Sequence, residues 1–170
     1  YRAGWPTIAT IGAVVYLIDA SVYVFRAYHS MPPDMTDRDG NPVHALFGFA
    51  RFLCDLIERA QPRLIAVAFD ESLETSFRNR IDPQYKANRE PAPADLKLQF
   101  QRCREFCELL GVPHFASGEY EADDIIGTLV AVYCTSNTSK KRTPVYVTEV
   151  SGVRGVPSKK CHVYLLTVRI

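Results

Sequence analysis

Val14-Val15-Tyr16-Leu17-Ile18 is an unbroken apolar run that stops at Asp19, and Leu64-Ile65-Ala66-Val67-Ala68-Phe69 repeats the pattern and stops at Asp70. Runs of this length and composition read as strands buried on both faces. Between them Leu46, Phe49, Ala50, Leu53, Leu56, Ile57 and Ala60 recur at helical spacing, and Pro62 follows as it does after a helix end. Strand, helix, strand is the unit of a parallel α/β sheet.

Downstream, a second amphipathic helix is expected after Pro93, with Leu96, Phe100, Cys103, Cys107 and Leu110 on one face and Gly111 placed to cap it. Val112 to Phe115 reads as a short strand. A third helix starts near Glu121 and carries Ile125, Ile126, Leu129, Val130 and Tyr133. Ser136 to Lys141 is a polar turn and Val145 to Thr148 another strand. Residues 71 to 92 keep no clean period and contain Pro83, Pro91 and many charges, as an excursion from the sheet would.

A length of 170 residues suits one domain with a substantial core. The formal charge is +1, so affinity for nucleic acid has to come from local basic clusters. Five scattered cysteines with no CxxC pair point to reduced thiols in the cytosol rather than a disulfide framework. The apolar run Ile8 to Ile18 is too short to cross a bilayer and leads straight into the first strand, so no membrane partner is expected. A chain opening on Tyr1 rather than Met reads as a fragment.

The carboxylates carry the chemistry. Asp19 and Asp70 each end a strand, and ligands of parallel α/β sheets bind outside the carboxyl ends of the strands. Each alone is equally well an N-cap. Glu121, Asp123 and Asp124 crowd into four residues and are followed at once by apolar Ile125-Ile126. A helix start tolerates one or two acids through its dipole; three repel one another unless a cation neutralises them. A metal site and a solvated acidic helix start are both open on these residues. If a metal is held, oxygen ligands without His or Cys select Mg2+ or Mn2+.

Phe77-Arg78-Asn79-Arg80 and Tyr85-Lys86-Ala87-Asn88-Arg89 form a basic segment just after Asp70, suited to phosphate. A helical 85 to 89 would put Lys86 and Arg89 at i, i+3 on one side, and Tyr85 offers a ring for a base. Arg26 lies one or two helical turns beyond Asp19 and is a similar candidate. A solvated charged face is the competing reading for the whole segment.

Leu17-Ile18-Asp19-Ala20-Ser21, Phe25-Arg26-Ala27-Tyr28-His29, Ala68-Phe69-Asp70, Phe77-Arg78, Tyr85 to Arg89 and Tyr120-Glu121-Ala122-Asp123-Asp124-Ile125-Ile126-Gly127-Thr128-Leu129 occur in that order. In this series the chain, from about residue 14 to 134, resembles the bacterial 5′–3′ exonuclease and flap-endonuclease family, which includes the 5′-nuclease domain of DNA polymerase I. The resemblance implies a three-layer, PIN-like (resolvase-like) α/β domain over residues 1 to 148 with a central, mostly parallel sheet. It implies Mg2+- or Mn2+-dependent hydrolysis of DNA at 5′ ends or flaps, in replication and repair. It also implies that Asp19, Asp70, Glu121, Asp123 and Asp124 are metal ligands. Lys86 and Arg89 correspond to residues at the scissile phosphate, and Tyr85 to an aromatic near the entering strand.

Residues 149 to 170 depart from the family. Where the pattern has an Asp-Lys-Asp style pair and further acids for a second metal, the chain has Glu149-Val150-Ser151. Gly152 to Lys160, with Arg154, Lys159 and Lys160, resembles a shortened remnant of the family's glycine-rich helix-turn-helix, which grips the duplex backbone; it reads equally well as an unrelated tail. A nuclease without the second metal site would be weak or silent, a DNA-binding relative only. A PIN-type ribonuclease would share the carboxylate cluster, but the basic segment and the Tyr-Glu-Ala-Asp-Asp string favour DNA.

Overall fold

A computed structural model describes residues 14–71, 76–88, 90–135, 145–147 and 163–167. Strands β1 (Val14–Asp19), β2 (Leu64–Asp70) and β3 (His114–Ser117) lie parallel and adjacent. Strand β5 (Val163–Thr167) pairs antiparallel with β1, and β4 (Val145–Val147) pairs antiparallel with β5, so the sheet runs β3-β2-β1-β5-β4. Part of the segment set apart in sequence as a tail therefore supplies a strand to this sheet. The polar turn expected at 136 to 141, and Arg154, Lys159 and Lys160, lie outside the described residues.

The alternation of side chains along each strand divides the core into two. Tyr16 and Ile18 of β1 and Val67 and Phe69 of β2 face helices α1 (Ala20–Ser30), α2 (His44–Ala60) and α4 (Ala94–Leu109). Val15, Leu17 and Ala68 face the opposite way, onto Ala122 and Ile126 of α5 (Ala122–Thr135). Helices on both faces of a largely parallel sheet give the expected three-layer α/β domain, and they explain why both strands read as continuous apolar runs.

The helical spacings hold with small shifts. Phe49, Leu53 and Leu56 of α2 and Leu96, Cys103 and Cys107 of α4 are buried. Leu110 instead lies beyond the last turn of α4 and is exposed. Gly111 takes a left-handed φ of +67° and donates to Glu108 O at 2.9 Å, which ends the helix where a Cβ would be strained. The following strand starts at His114, two residues later than expected. Val112 N–H is still returning to Cys107 O, and Pro113 has no N–H to give a ladder.

Gln99, fully buried on α4, performs a long-range cap. Val43 offers α2 no side-chain cap, and the Gln99 carbonyl accepts from Ala45 N at 2.7 Å and Leu46 N at 3.3 Å instead. Cys54, Cys103 and Cys107 are free thiols, the last two buried. Among the described residues no helix is long and apolar enough to cross a membrane.

Candidate functional site

Register fixes where the strand-end acids stand. Asp19 pairs opposite Ala68, so Asp70 projects two residues further along the same edge. Asp19 is the N-cap of α1 and accepts from Ser21 N at 2.9 Å. Ser21 in turn accepts from Asp70 N–H on its hydroxyl at 3.3 Å, so one small residue ties the two strand ends together. In sequence Ser21 stands only as part of the Leu17–Ser21 string; the signal of its tying role is a hydroxyl two residues after a strand-ending Asp.

The third element arrives from the opposite layer. Asp70 Oδ1 accepts from Ala122 N at 2.7 Å, which seats the head of α5 on the end of β2. The helix start is also boxed locally, with Asp124 Oδ2 accepting from Glu121 N at 3.1 Å. Capping and convergence are thus compatible: Asp19 caps its own helix, Asp70 caps α5 from another strand, and both roles draw the acids to one edge.

There they repel. Burial first, then the charges of Asp70 and Asp123, push the Asp19 carboxyl from its ordinary 3.8 up to about 7, although Ser21 and Val22 N–H groups oppose the shift. Asp19 is nearly buried, at 9% exposure, so little water screens this.

The other two acids are neutralised by the basic segment. Arg78, on α3 (Phe77–Ile81), forks onto Asp124 with N–O distances of 2.5 and 2.7 Å and stands 3.8 Å from Glu121. The Arg78 hydrogen bonds hold Asp124 below its usual range, and the same contacts hold the guanidinium above its own. Lys86 Nζ lies 2.9 Å from Glu121 Oε2, which also receives the Tyr85 hydroxyl at 3.3 Å. Burial alone would lower the Lys86 pKa, but Glu121 and Tyr85 outweigh it and raise it, so the ammonium stays charged.

The five acids expected to meet therefore share one edge in two groups. Asp19 is repelled by Asp70 and Asp123, whereas Glu121 and Asp124 face internal cations. Among the described residues no three His, Cys, Asp or Glu side chains are gathered as a ready-made chelate. The reason is visible in the bonds above: four of these carboxylates are turned onto Ser21, Ala122, Lys86 and Arg78.

The basic segment departs from the helical picture of 85 to 89. Residues 83–88 form turns, and Lys86 has a left-handed φ of +56°, which no α-helix accommodates. Arg89 lies outside the described residues. Arg80 pairs with Glu119 and is largely exposed. Arg26 stays on α1, partly buried, with its guanidinium 6.0 Å from the Tyr23 ring.

The donor atoms at this edge are of the kind a hard cation takes. All the donors are carboxylate oxygens, Asp19 is destabilised when charged, and Glu121 Oε1 is buried without a hydrogen-bond partner among the described residues. An oxygen in that position is available to an ion.

Comparison with known proteins agrees with the geometry. Residues 14–148 match the profile of the family described as 5′-3′ exonuclease, N-terminal resolvase-like domain. A 5′-3′ exonuclease of Aquifex aeolicus (strain VF5) is 37% identical over 115 residues, 68% of this chain and 39% of the relative. DNA polymerase I of Rhizobium leguminosarum is 38% identical over 124 residues, 69% of this chain and 12% of that protein. DNA polymerase I of Streptococcus pneumoniae (strain ATCC BAA-255 / R6) is 39% identical over 117 residues, 66% of this chain and 13% of the relative. The chain thus covers well under half the length of each.

Proposed function

The chain belongs to the family of 5′-3′ exonuclease N-terminal resolvase-like domains, and from that premise we propose that it hydrolyses phosphodiester bonds at the 5′ ends or flaps of DNA with the help of Mg2+ or Mn2+. The observation that carries the reading is the meeting of Asp19, Asp70 and the head of α5 at one sheet edge, with the Asp19 carboxyl pushed up to about 7 by burial first and by Asp70 and Asp123 after it.

Asp19, Asp70 and Asp123, with Glu121 and Asp124, are the residues that would hold the ion or ions. Such an ion neutralises charge on a phosphate and lowers the pKa of bound water. The chain's own groups do the rest. Lys86 keeps a charged ammonium at the edge of the cluster, within reach of a phosphate's developing charge. Tyr85, whose ring lies 5.0 Å from Lys86 Nζ, stiffens that placement and offers a face to an adjacent base. Arg78 is engaged by Asp124 and Glu121, so its part is to hold those carboxylates rather than to grip the strand. Arg89 is assigned to the same phosphate on the family resemblance alone.

Assays on 5′-labelled flap DNA and on matched RNA, each with EDTA and with Mg2+, test the proposal. Cleavage of DNA only, and only with the ion, is the expected result. Asp123→Asn removes that cleavage while the protein unfolds at the same or higher urea concentration in EDTA, because one repelling charge is gone. Normal cutting by this variant, or equal cutting of RNA, overturns the assignment.

A further inference from the structure

Beside the acidic edge lies a row in which rings and cations alternate. Tyr120 packs on Phe77 with centroids 5.5 Å apart and planes tilted by 44°. Arg78 lies 4.8 Å over Phe77 and 5.8 Å over Tyr85, and Lys86 lies 5.0 Å over Tyr85. The Lys86 end of this row belongs to the site already described. Its other end, Tyr120, has no part in that chemistry.

Three observations set Tyr120 apart. First, the ring is 47% exposed and belongs to neither core cluster, so burial does not explain it. Second, it is held rigidly in place. Glu119 N and Tyr120 N both donate to Ser117 Oγ at 3.2 Å, and Phe77 N donates to Glu119 O at 3.0 Å, which locks the two loops together under the rings. A fixed aromatic face loses little entropy on stacking. Third, its immediate neighbours are Glu119 and Glu121, with Asp123 and Asp124 just beyond. Glu119, Glu121 and Asp124 are paired with Arg80, Lys86 and Arg78, so the ring stands beside a largely neutralised surface, which suits the uncharged face of a base. Along one strand, the phosphate is then favoured at Lys86 and the base at Tyr120.

We infer that Tyr120, braced by Phe77, is a stacking shelf for one nucleobase of the single-stranded part of the substrate. The inference rests on the DNA-nuclease reading above and adds a subsite to it. The shelf reads a π-face, so it is indifferent to which base it receives.

The test is a cycle between protein and substrate, read by binding alone. The full chain and its Tyr120→Ala variant are titrated in calcium buffer with 5′-flap oligonucleotides that carry one abasic nucleotide at successive flap positions. Tyr120→Ala is expected to weaken binding of the intact flap about tenfold, the order of one stacked base. Tyr120→Phe restores it. At one flap position, removing the base costs the parent protein the same factor and costs Tyr120→Ala nothing further. Unfolding curves of the variants show whether the loop survives, since the exposed ring contributes little to the core. If every abasic position weakens parent and variant alike, or if Tyr120→Ala binds the intact flap normally, the shelf is overturned and the nuclease reading stands. If the parent protein does not bind flap DNA at all, both fall.

Discussion

Replacing Asp19 by Asn separates its charge from its shape. The Asn side-chain oxygen can still accept from Ser21 N, so the cap of α1 survives. What disappears is a carboxylate held at about 7 in the folded protein against an ordinary 3.8. With the folded value raised, the folded state prefers the protonated form. Its contribution is fully present below about pH 3.8 and is lost as pH rises through about 7. The difference between an ordinary 3.8 and about 7 corresponds to about 4 kcal/mol, with little screening at so buried a group. In EDTA, urea unfolding of the parent protein should therefore lose about 4 kcal/mol relative to Asp19→Asn between pH 4 and pH 8. At pH 8 added Mg2+ should return most of that difference to the parent and none to the variant. Parallel stability profiles for the two proteins across this range would show that burial and the charges of Asp70 and Asp123 do not raise the Asp19 carboxyl, and the picture of a loaded edge would be wrong.

Other outcomes follow from the same contacts. Lys86→Ala should slow cleavage at saturating DNA by more than it weakens binding, measured as turnover against KM; a pure affinity loss would make Lys86 a positioning contact. Arg78→Ala, which strands Asp124 and leaves Glu121 with one cation instead of two, should lower unfolding stability by about 1–3 kcal/mol at neutral pH, whereas its DNA affinity should change little. Gln99→Leu removes the only described side-chain acceptor for Ala45 and Leu46 N–H groups, and a loss of about 1–3 kcal/mol should appear in denaturant curves.

Much of the fold was legible because its signals are local. Side chains on a strand buried from both sides must be apolar at every position, as Val15 to Ile18 and Val67 to Phe69 are; Leu64, at the open start of β2, is apolar but exposed. Helical spacing of apolar residues gave α2, α4 and α5. Boundaries slipped where backbone hydrogen bonding intervened, as at Val112 and Pro113, or where the last apolar residue of a periodic run fell past the helix end, as at Leu110. Val163–Thr167 was not anticipated as part of the sheet, since a short apolar run does not state its neighbour, and the choice of β1 as partner lies nearly 150 positions away by about the longest reach in the chain.

The sequence by itself determined which groups take part: acids at two strand ends and one helix head, with a basic segment between them. Only the tertiary structure decided how the charges are shared. That Arg78 goes to Asp124, 46 residues on, while Asp19 is left against Asp70 and Asp123, depends on the path of the loop after β2 and on α5 seating against Asp70. Electrostatic energy varies with distance and burial, neither of which a residue's identity or spacing contains.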